Sequence, residues 1–323
     1  MRRLAQASAW AALLVLAGGG TAAAQVAPVQ KEAFKSSQGE HTAREREVDV
    51  MEHLANSHVI EIPWFNERYT HEIELPRFPP IRIGPVELDL SPTKHSVFVV
   101  LAALLVAILF LTSARSISRA QAEGRPPRGL AGAMEAMTLY LRQEYILPNV
   151  GDHGEGYVPY LLTVFFFILA CNLLGLLPWG ATPTGNIAVT GALALLAFFV
   201  IEISGMRALG LKGYLQTIFY LPPGLPTFMK PIMLAVMTPI ELIGKLAKPF
   251  ALAVRLFANM TAGHALVLAL IGLTFTFQSY LVGVGASVMA TAVMLLELFV
   301  AFLQAFVFML LTAVFIGLMR AEH

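Results

Sequence analysis

The sequence predicts an all-α polytopic membrane protein with about five membrane-spanning helices. The last two are long, tilted and folded into a hairpin, and one further amphipathic helix lies at the interface. Three observations predict this class. Of the 323 residues, 57% are hydrophobic and only 13% charged, where an ordinary soluble domain has roughly 45–50% and about 25%. The apolar residues gather into stretches approaching or exceeding the ~20 that cross about 30 Å of hydrocarbon as a helix. Arginines and lysines cluster after alternate stretches and avoid the loops between. The same figures exclude a soluble enzyme. A net charge of +1 provides no basic field for nucleic acid, and one cysteine, Cys171, excludes an intrachain disulfide and a thiolate metal cluster.

Taken in order, Arg2 and Arg3 precede a short apolar run, Ala9 to Ala17, and then small residues ending Ala22-Ala23-Ala24. That is the pattern of a secretory signal peptide over residues 1–24. Residues 25–94 form a polar segment expected outside the cytoplasm, charged from Lys31 to His58 and then punctuated by Pro63, Pro76, Pro79, Pro80, Pro85 and Pro92. Alternation between Ile73 and Leu90 allows short strands, which the prolines confine to edges. The membrane-embedded domain is residues 95–323. Its spans are expected at Ser96–Thr112, Tyr157–Leu177, Ile187–Met206, Lys230–Phe277 and Leu281–Met319, the last two too long to stand perpendicular.

Orientation follows from the basic residues. Arg115, Arg119, Arg125 and Arg128 follow the first span, Arg207 and Lys212 the third and Arg320 the last, while the loops near Trp179–Asn186 and Gln278–Gly285 carry none. The positive-inside rule then places the mature N-terminus outside and the C-terminus in the cytoplasm. Between the first two spans, Met134, Met137, Leu141 and Tyr145 recur at helical spacing opposite Glu135, Arg142 and Glu144, which predicts the amphipathic interfacial helix.

An ionisable side chain near the bilayer centre costs about 2.5–3.5 kcal/mol on insertion scales and marks function by default. Glu202, Arg255, His264 and Glu297 fall within the spans, with Asn172, Asn259 and Gln304 as polar company. Arg255 has no acidic residue within four positions, so no helical ion pair satisfies it. Its guanidinium keeps its proton at any relevant pH, and so it acts as a fixed positive field, a counter-ion or a pin. His264 and Glu297 can take up and release protons. At 1.5 Å and 100° per residue, the nine steps from Arg255 to His264 give about 13–14 Å of rise and half a turn, so the two face opposite ways. Asn259 shares the face of Arg255, and Glu297 shares one with Gln304, about 10.5 Å apart in depth. In the predicted topology, His264 and Glu297 both lie on the outer side of Arg255, where they could meet across the hairpin and line a wet cavity. Glu241 and Lys245 stand in the order of a helical ion pair near the cytoplasmic end, with an inward-facing vestibule as the other reading for Glu241. Glu202 is expected to be interfacial. No Gly-x-x-x-x-Gly-Lys-Ser/Thr cradle occurs, so neither nucleotide nor any other cofactor or metal is expected.

Lys248-Pro249, the run Arg255-Leu256-Phe257-Ala258-Asn259-Met260-Thr261-Ala262-Gly263-His264, the run Leu303-Gln304-Ala305-Phe306-Val307-Phe308-Met309-Leu310-Leu311-Thr312 and the ending Glu322-His323 resemble subunit a of the F-type ATP synthase. Asn172-Leu173-Leu174-Gly175-Leu176-Leu177-Pro178 resembles the second span of that family, and the resemblance covers Ser96 to His323. It implies a non-catalytic, proton-conducting stator subunit. Its implied partners are a ring of c subunits, b-type peripheral stalk subunits and the remainder of the complex in the lipid bilayer. It further implies that Arg255 faces the c-ring carboxylate and separates two aqueous half-channels, that Asn259 and Gln304 are polar neighbours of the arginine, and that Glu241 is an acid of the inner half-channel. The family often has an acid at the position of His264 and a histidine at that of Glu297, the reverse of this chain. A secondary active transporter is the alternative, for which broken helices and internal repeats are the expected marks. A structural membrane scaffold is a third reading.

Overall fold

The computed structural model describes residues 59–63, 70–76, 78, 81–83, 86–88, 91–151, 154–177, 180–219, 226, 228–277 and 279–321. The predicted signal peptide, most of the polar segment and the ending Glu322-His323 lie outside the described residues. Two antiparallel hairpins precede the helices. Strand β1 (Val59–Pro63) pairs with β2 (Thr70–Glu74), Ile60 opposite Ile73, and β3 (Ile81–Ile83) pairs with β4 (Val86–Leu88), Ile81 opposite Leu88. Strand structure therefore begins before Ile73, the earliest residue the alternation suggested.

Helix α1 (Lys94–Ala122) starts where the Thr93 side chain accepts from the Ser96 amide at 3.4 Å, an N-cap that satisfies one orphan donor. It runs on past Thr112 to Ala122, so of the four arginines that follow the predicted span Arg115 and Arg119 lie within the helix, and Arg125 and Arg128 after it. Helix α2 (Leu130–Tyr140) passes through a π-turn (Leu141–Ile146) into the short α3 (Leu147–Val150). Met134 and Leu141 are buried, and this segment packs on α1 and α7 as well as presenting a surface.

Helix α4 (Val158–Gly175) is apolar on all sides and central; 83% of its span is buried by the rest of the chain. Phe166 meets Phe110 of α1 edge-on at 5.0 Å, and Phe165 meets Phe302 of the last helix at 5.6 Å. Helix α5 (Ile187–Ile218) is capped by the Asn186 side chain, which accepts from the Ala188 amide at 2.9 Å. It continues beyond Met206 but breaks at Gly210, where φ is 70°. That is a left-handed conformation open to glycine at no steric cost.

Helix α6 (Lys230–Phe277) has 48 residues and α7 (Tyr280–Ala321) has 42. They are about 72 Å and 63 Å long at 1.5 Å per residue, far more than the ~30 Å of hydrocarbon. Together with α1, α4 and α5 they make five helices long and apolar enough to cross a membrane. The two form an antiparallel hairpin, and α7 packs in addition on α4 and α5.

Candidate functional site

The hairpin positions every residue singled out in α6 and α7. On α6, Leu252, Leu256 and Met260 are buried at four-residue spacing; on α7, Ala301, Ala305, Phe308 and Met309 are buried opposite them. Alanines at the seam let the two backbones approach closely. Three contacts fix the pairing. The Lys248 ammonium stands 5.2 Å from the Phe315 ring centre. Asn259 Nδ2 donates to Gln304 Oε1 at 3.0 Å. The Glu297 carboxyl lies against Gly263, where an added methyl would come within 3.0 Å of Oε1.

Arg255 lies beside this seam, between Lys248 and Asn259 by helical spacing, and is exposed with Val254 and Asn259. Among the described residues it has no ion-pair partner. Only 17% of the α6 span is buried within the chain. By helical spacing Ala251, Ala258 and Ala262 share the guanidinium's side of α6 and are exposed with it, whereas Ile243, Leu246 and Phe250 line a groove with α5 and Leu295 and Phe299 one with α4. A permanent cation in such a face needs an anion, water or a polar partner from elsewhere. Asn259 reaches from this face across to Gln304, which is buried and whose Nε2 has no partner among the described residues.

His264 turns away from Arg255. It is half-buried and lines a cleft of about 30 Å³ with Lys94 and His95 of α1, Thr182 and Gly185 of the turn before α5, and Thr261. The cleft is large enough for a water, and Thr261 Oγ1 is buried there without a partner among the described residues. Glu297 is buried at the same level but meets Gly263, the residue before His264, and does not line the cleft. The shared cavity expected for His264 and Glu297 is thus a smaller cleft lined by His264, with the carboxyl packed beside it.

Three polar groups take structural places. Asn172 Nδ2 donates to the Ala301 carbonyl at 3.0 Å while its Oδ1 accepts from Thr184 at 2.7 Å, tying α4 to α7 and to the turn before α5. Lys245 does not pair with Glu241 along the helix. Its ammonium lies 3.6 Å from Glu202 Oε2, both side chains being buried within the chain. Tyr214 donates to the same carboxyl, its ring stands 4.6 Å from the lysine, and Lys245 also donates to Thr217 at 3.3 Å. The break at Gly210 brings Tyr214 and Thr217 back onto this pair. A glycine followed by Tyr214 and Thr217 at the end of the third apolar run was the available signal. Glu241 is half-buried on α6, toward the Lys230 end from Arg255. Among the described residues no three His, Cys, Asp or Glu side chains cluster as metal ligands.

Comparison with known proteins gives the family. A family profile described as "ATP synthase A chain" matches residues 96–317. The chain is 44% identical to "ATP synthase subunit a 2" of Chlorobium luteolum over 306 residues, 94% of this chain and 84% of that protein. It is 41% identical to "ATP synthase subunit a 2" of Chlorobaculum tepidum over 298 residues, 92% of this chain and 80% of that one. With "ATP synthase subunit a" of Myxococcus xanthus it shares 48% identity over 234 residues, covering 72% and 73%. Five spanning helices, a charged hairpin and a match over nearly all of the helical domain lead to one assignment: this chain belongs to the ATP synthase A chain family.

Proposed function

We propose that this chain is the stator subunit of a bacterial F-type ATP synthase. In this reading it passes protons to and from a rotating ring of c subunits through two half-channels, and Arg255 separates them. The mature N-terminus lies outside and the C-terminus in the cytoplasm, as the distribution of arginines supports. One observation carries the reading: a guanidinium with no ion-pair partner among the described residues is exposed on α6, with exposed Ala251, Val254, Ala258 and Asn259 beside it. That face suits a second subunit that brings acids past it.

A proton arriving from outside by His264 and Glu297 neutralises a ring carboxylate, which can then enter lipid. After nearly a full turn the acid meets Arg255. The positive field favours the carboxylate, the proton leaves, and it exits inward past Glu241. Asn259 and Gln304 supply hydrogen-bonding groups beside the arginine. Each charge moved down 100 mV releases about 2.3 kcal/mol, and this drives rotation. Because an arginine cannot itself carry the proton onward, it blocks direct leakage between the half-channels.

The test is Arg255→Ala in the reconstituted complex. Loss of proton-driven ATP synthesis with normal assembly is expected; synthesis at the normal rate would overturn the reading. Copurification with a c-ring and a soluble ATPase head in mild detergent is expected alongside.

A further inference from the structure

At the end of α1 farthest from His264, four arginines surround a concavity to which the proton path assigns no role. Arg115, Arg119, Arg125 and Arg128 line a cleft of about 550 Å³ together with Thr112 and Ser116. The cleft is built by the backbone. Glu123 N–H donates to the Arg119 carbonyl at 3.1 Å and Arg125 N–H to the Ala120 carbonyl at 2.9 Å. With Gly124 at φ 65°, this turn folds Arg125 and Arg128 back beside the helix. Glu123 is the only acid in the lining and is paired with Arg125. Among the described residues, Arg115, Arg119 and Arg128 have no ion-pair partner, which leaves a net cationic pocket.

Its position along α1 names the ligand. Ile108, Thr112, Arg115 and Arg119 follow the helical repeat and share one face. Above them that face continues as exposed Leu101, Leu104 and Leu105. Arg115 is about 4.5 Å beyond Thr112 along the axis and Arg119 about 10 Å, the depth at which phosphates flank the hydrocarbon. An apolar stripe running into an arginine cleft matches an amphiphile with acyl chains and an anionic head. It matches less well a soluble acidic peptide, which has no use for the stripe, or inorganic phosphate, which fills little of the cleft. Guanidinium groups bind phosphate oxygens bidentately, and basic pockets on the positively charged side of a membrane protein retain anionic lipids. We propose that this cleft is a binding site for an anionic phospholipid, its phosphate held by Arg115, Arg119 and Arg128 and its chains laid along Leu104, Leu105 and Ile108.

The experiment is lipid retention by the intact detergent-solubilised complex, measured by native mass spectrometry with added phosphatidylglycerol or phosphatidylcholine. Phosphatidylglycerol is expected to be retained in preference. The double variant Arg115→Gln/Arg119→Gln is expected to lose roughly thirtyfold of that preference, the scale two interfacial arginines supply, with unchanged subunit composition; Arg115→Lys/Arg119→Lys should keep most of it. Equal retention of the two lipids, or a glutamine variant that still prefers phosphatidylglycerol, would overturn the proposal. So would release of the lipid by millimolar inorganic phosphate, which would mark a simple anion site. Loss of a protein subunit from the glutamine variant with lipid retention intact would show that the face docks protein instead.

Discussion

Asn259 Nδ2 and Gln304 Oε1 meet at 3.0 Å across the α6–α7 seam, one helical turn along from Arg255. This bond is the direct polar link between the exposed face that carries the arginine and the buried interior of the hairpin. Asn259→Leu leaves both ends of the Gln304 amide unpaired, at a cost of about 1–3 kcal/mol for a buried unsatisfied group. A double-mutant cycle with Gln304→Leu, read by thermal unfolding of the assembled complex, is expected to show a coupling of about 0.5–3 kcal/mol. Strict additivity would deny the bond any weight.

Replacing Arg255 by lysine keeps the charge but not the chemistry. An ammonium in an apolar site can shed its proton, whereas a guanidinium does not. Arg255→Lys is expected to cut proton-driven ATP synthesis by at least about tenfold, because a group that can release a proton no longer seals one half-channel from the other. ATP synthesis and passive proton leak measured on the same inverted vesicles check this, with near-normal coupling as the contrary result.

Gly263 leaves tight space for a side chain beside Glu297. A methyl there would come within 3.0 Å of Glu297 Oε1 and 3.1 Å of its carboxyl carbon. Overpacking of this kind costs about 1–3 kcal/mol, and the carboxyl must shift to relieve it. Gly263→Ala is therefore expected to slow proton flux through vesicles stripped of the catalytic head while the complex still assembles. Unaltered flux would mean that the position of Glu297 is unimportant.

The Glu202–Lys245 pair gives a stability prediction. Both side chains are buried and the charges are 3.6 Å apart. Removing one partner of a buried pair costs about 3–5 kcal/mol, while replacing both with apolar residues is often neutral. Lys245→Met and Glu202→Leu are each expected to lower the unfolding temperature markedly, and the double variant to recover most of the loss. Equal damage from single and double variants would assign the effect to packing, not charge.

Much of this arrangement is legible in local arithmetic. A rotation of 100° per residue places Arg255 and His264 on opposite sides of α6, and that is how they stand: one exposed, the other facing the α1 cleft. Apolar run lengths locate all five long helices, since burial and period are properties of neighbouring residues. What local reading misses is contact between distant segments. The Glu241–Lys245 spacing was sufficient for a pair along one turn, yet Lys245 turns to Glu202 because the break at Gly210 supplies Tyr214 and Thr217 as further partners. Asn172 stood out only as polar company of the charges in the spans, and the structure shows both its donor and its acceptor used by residues that no periodicity connects to it. The depth shared by Glu297 and Gly263 depended on hairpin register, which hydrophobic patterning constrains only loosely.

Helix α6 carries Pro239 and Pro249 within its length. Each removes one rung of the backbone ladder, because an imide nitrogen has nothing to donate to the carbonyl four residues earlier. A strut of such length therefore lacks a backbone rung at two points, the second beside the Lys248–Phe315 contact with α7. In the proposed rotary role the resulting compliance is useful: the bearing surface can bow to follow a cylinder as successive copies go by, and Arg255, just beyond the second soft point, stays close to each without the hairpin coming apart.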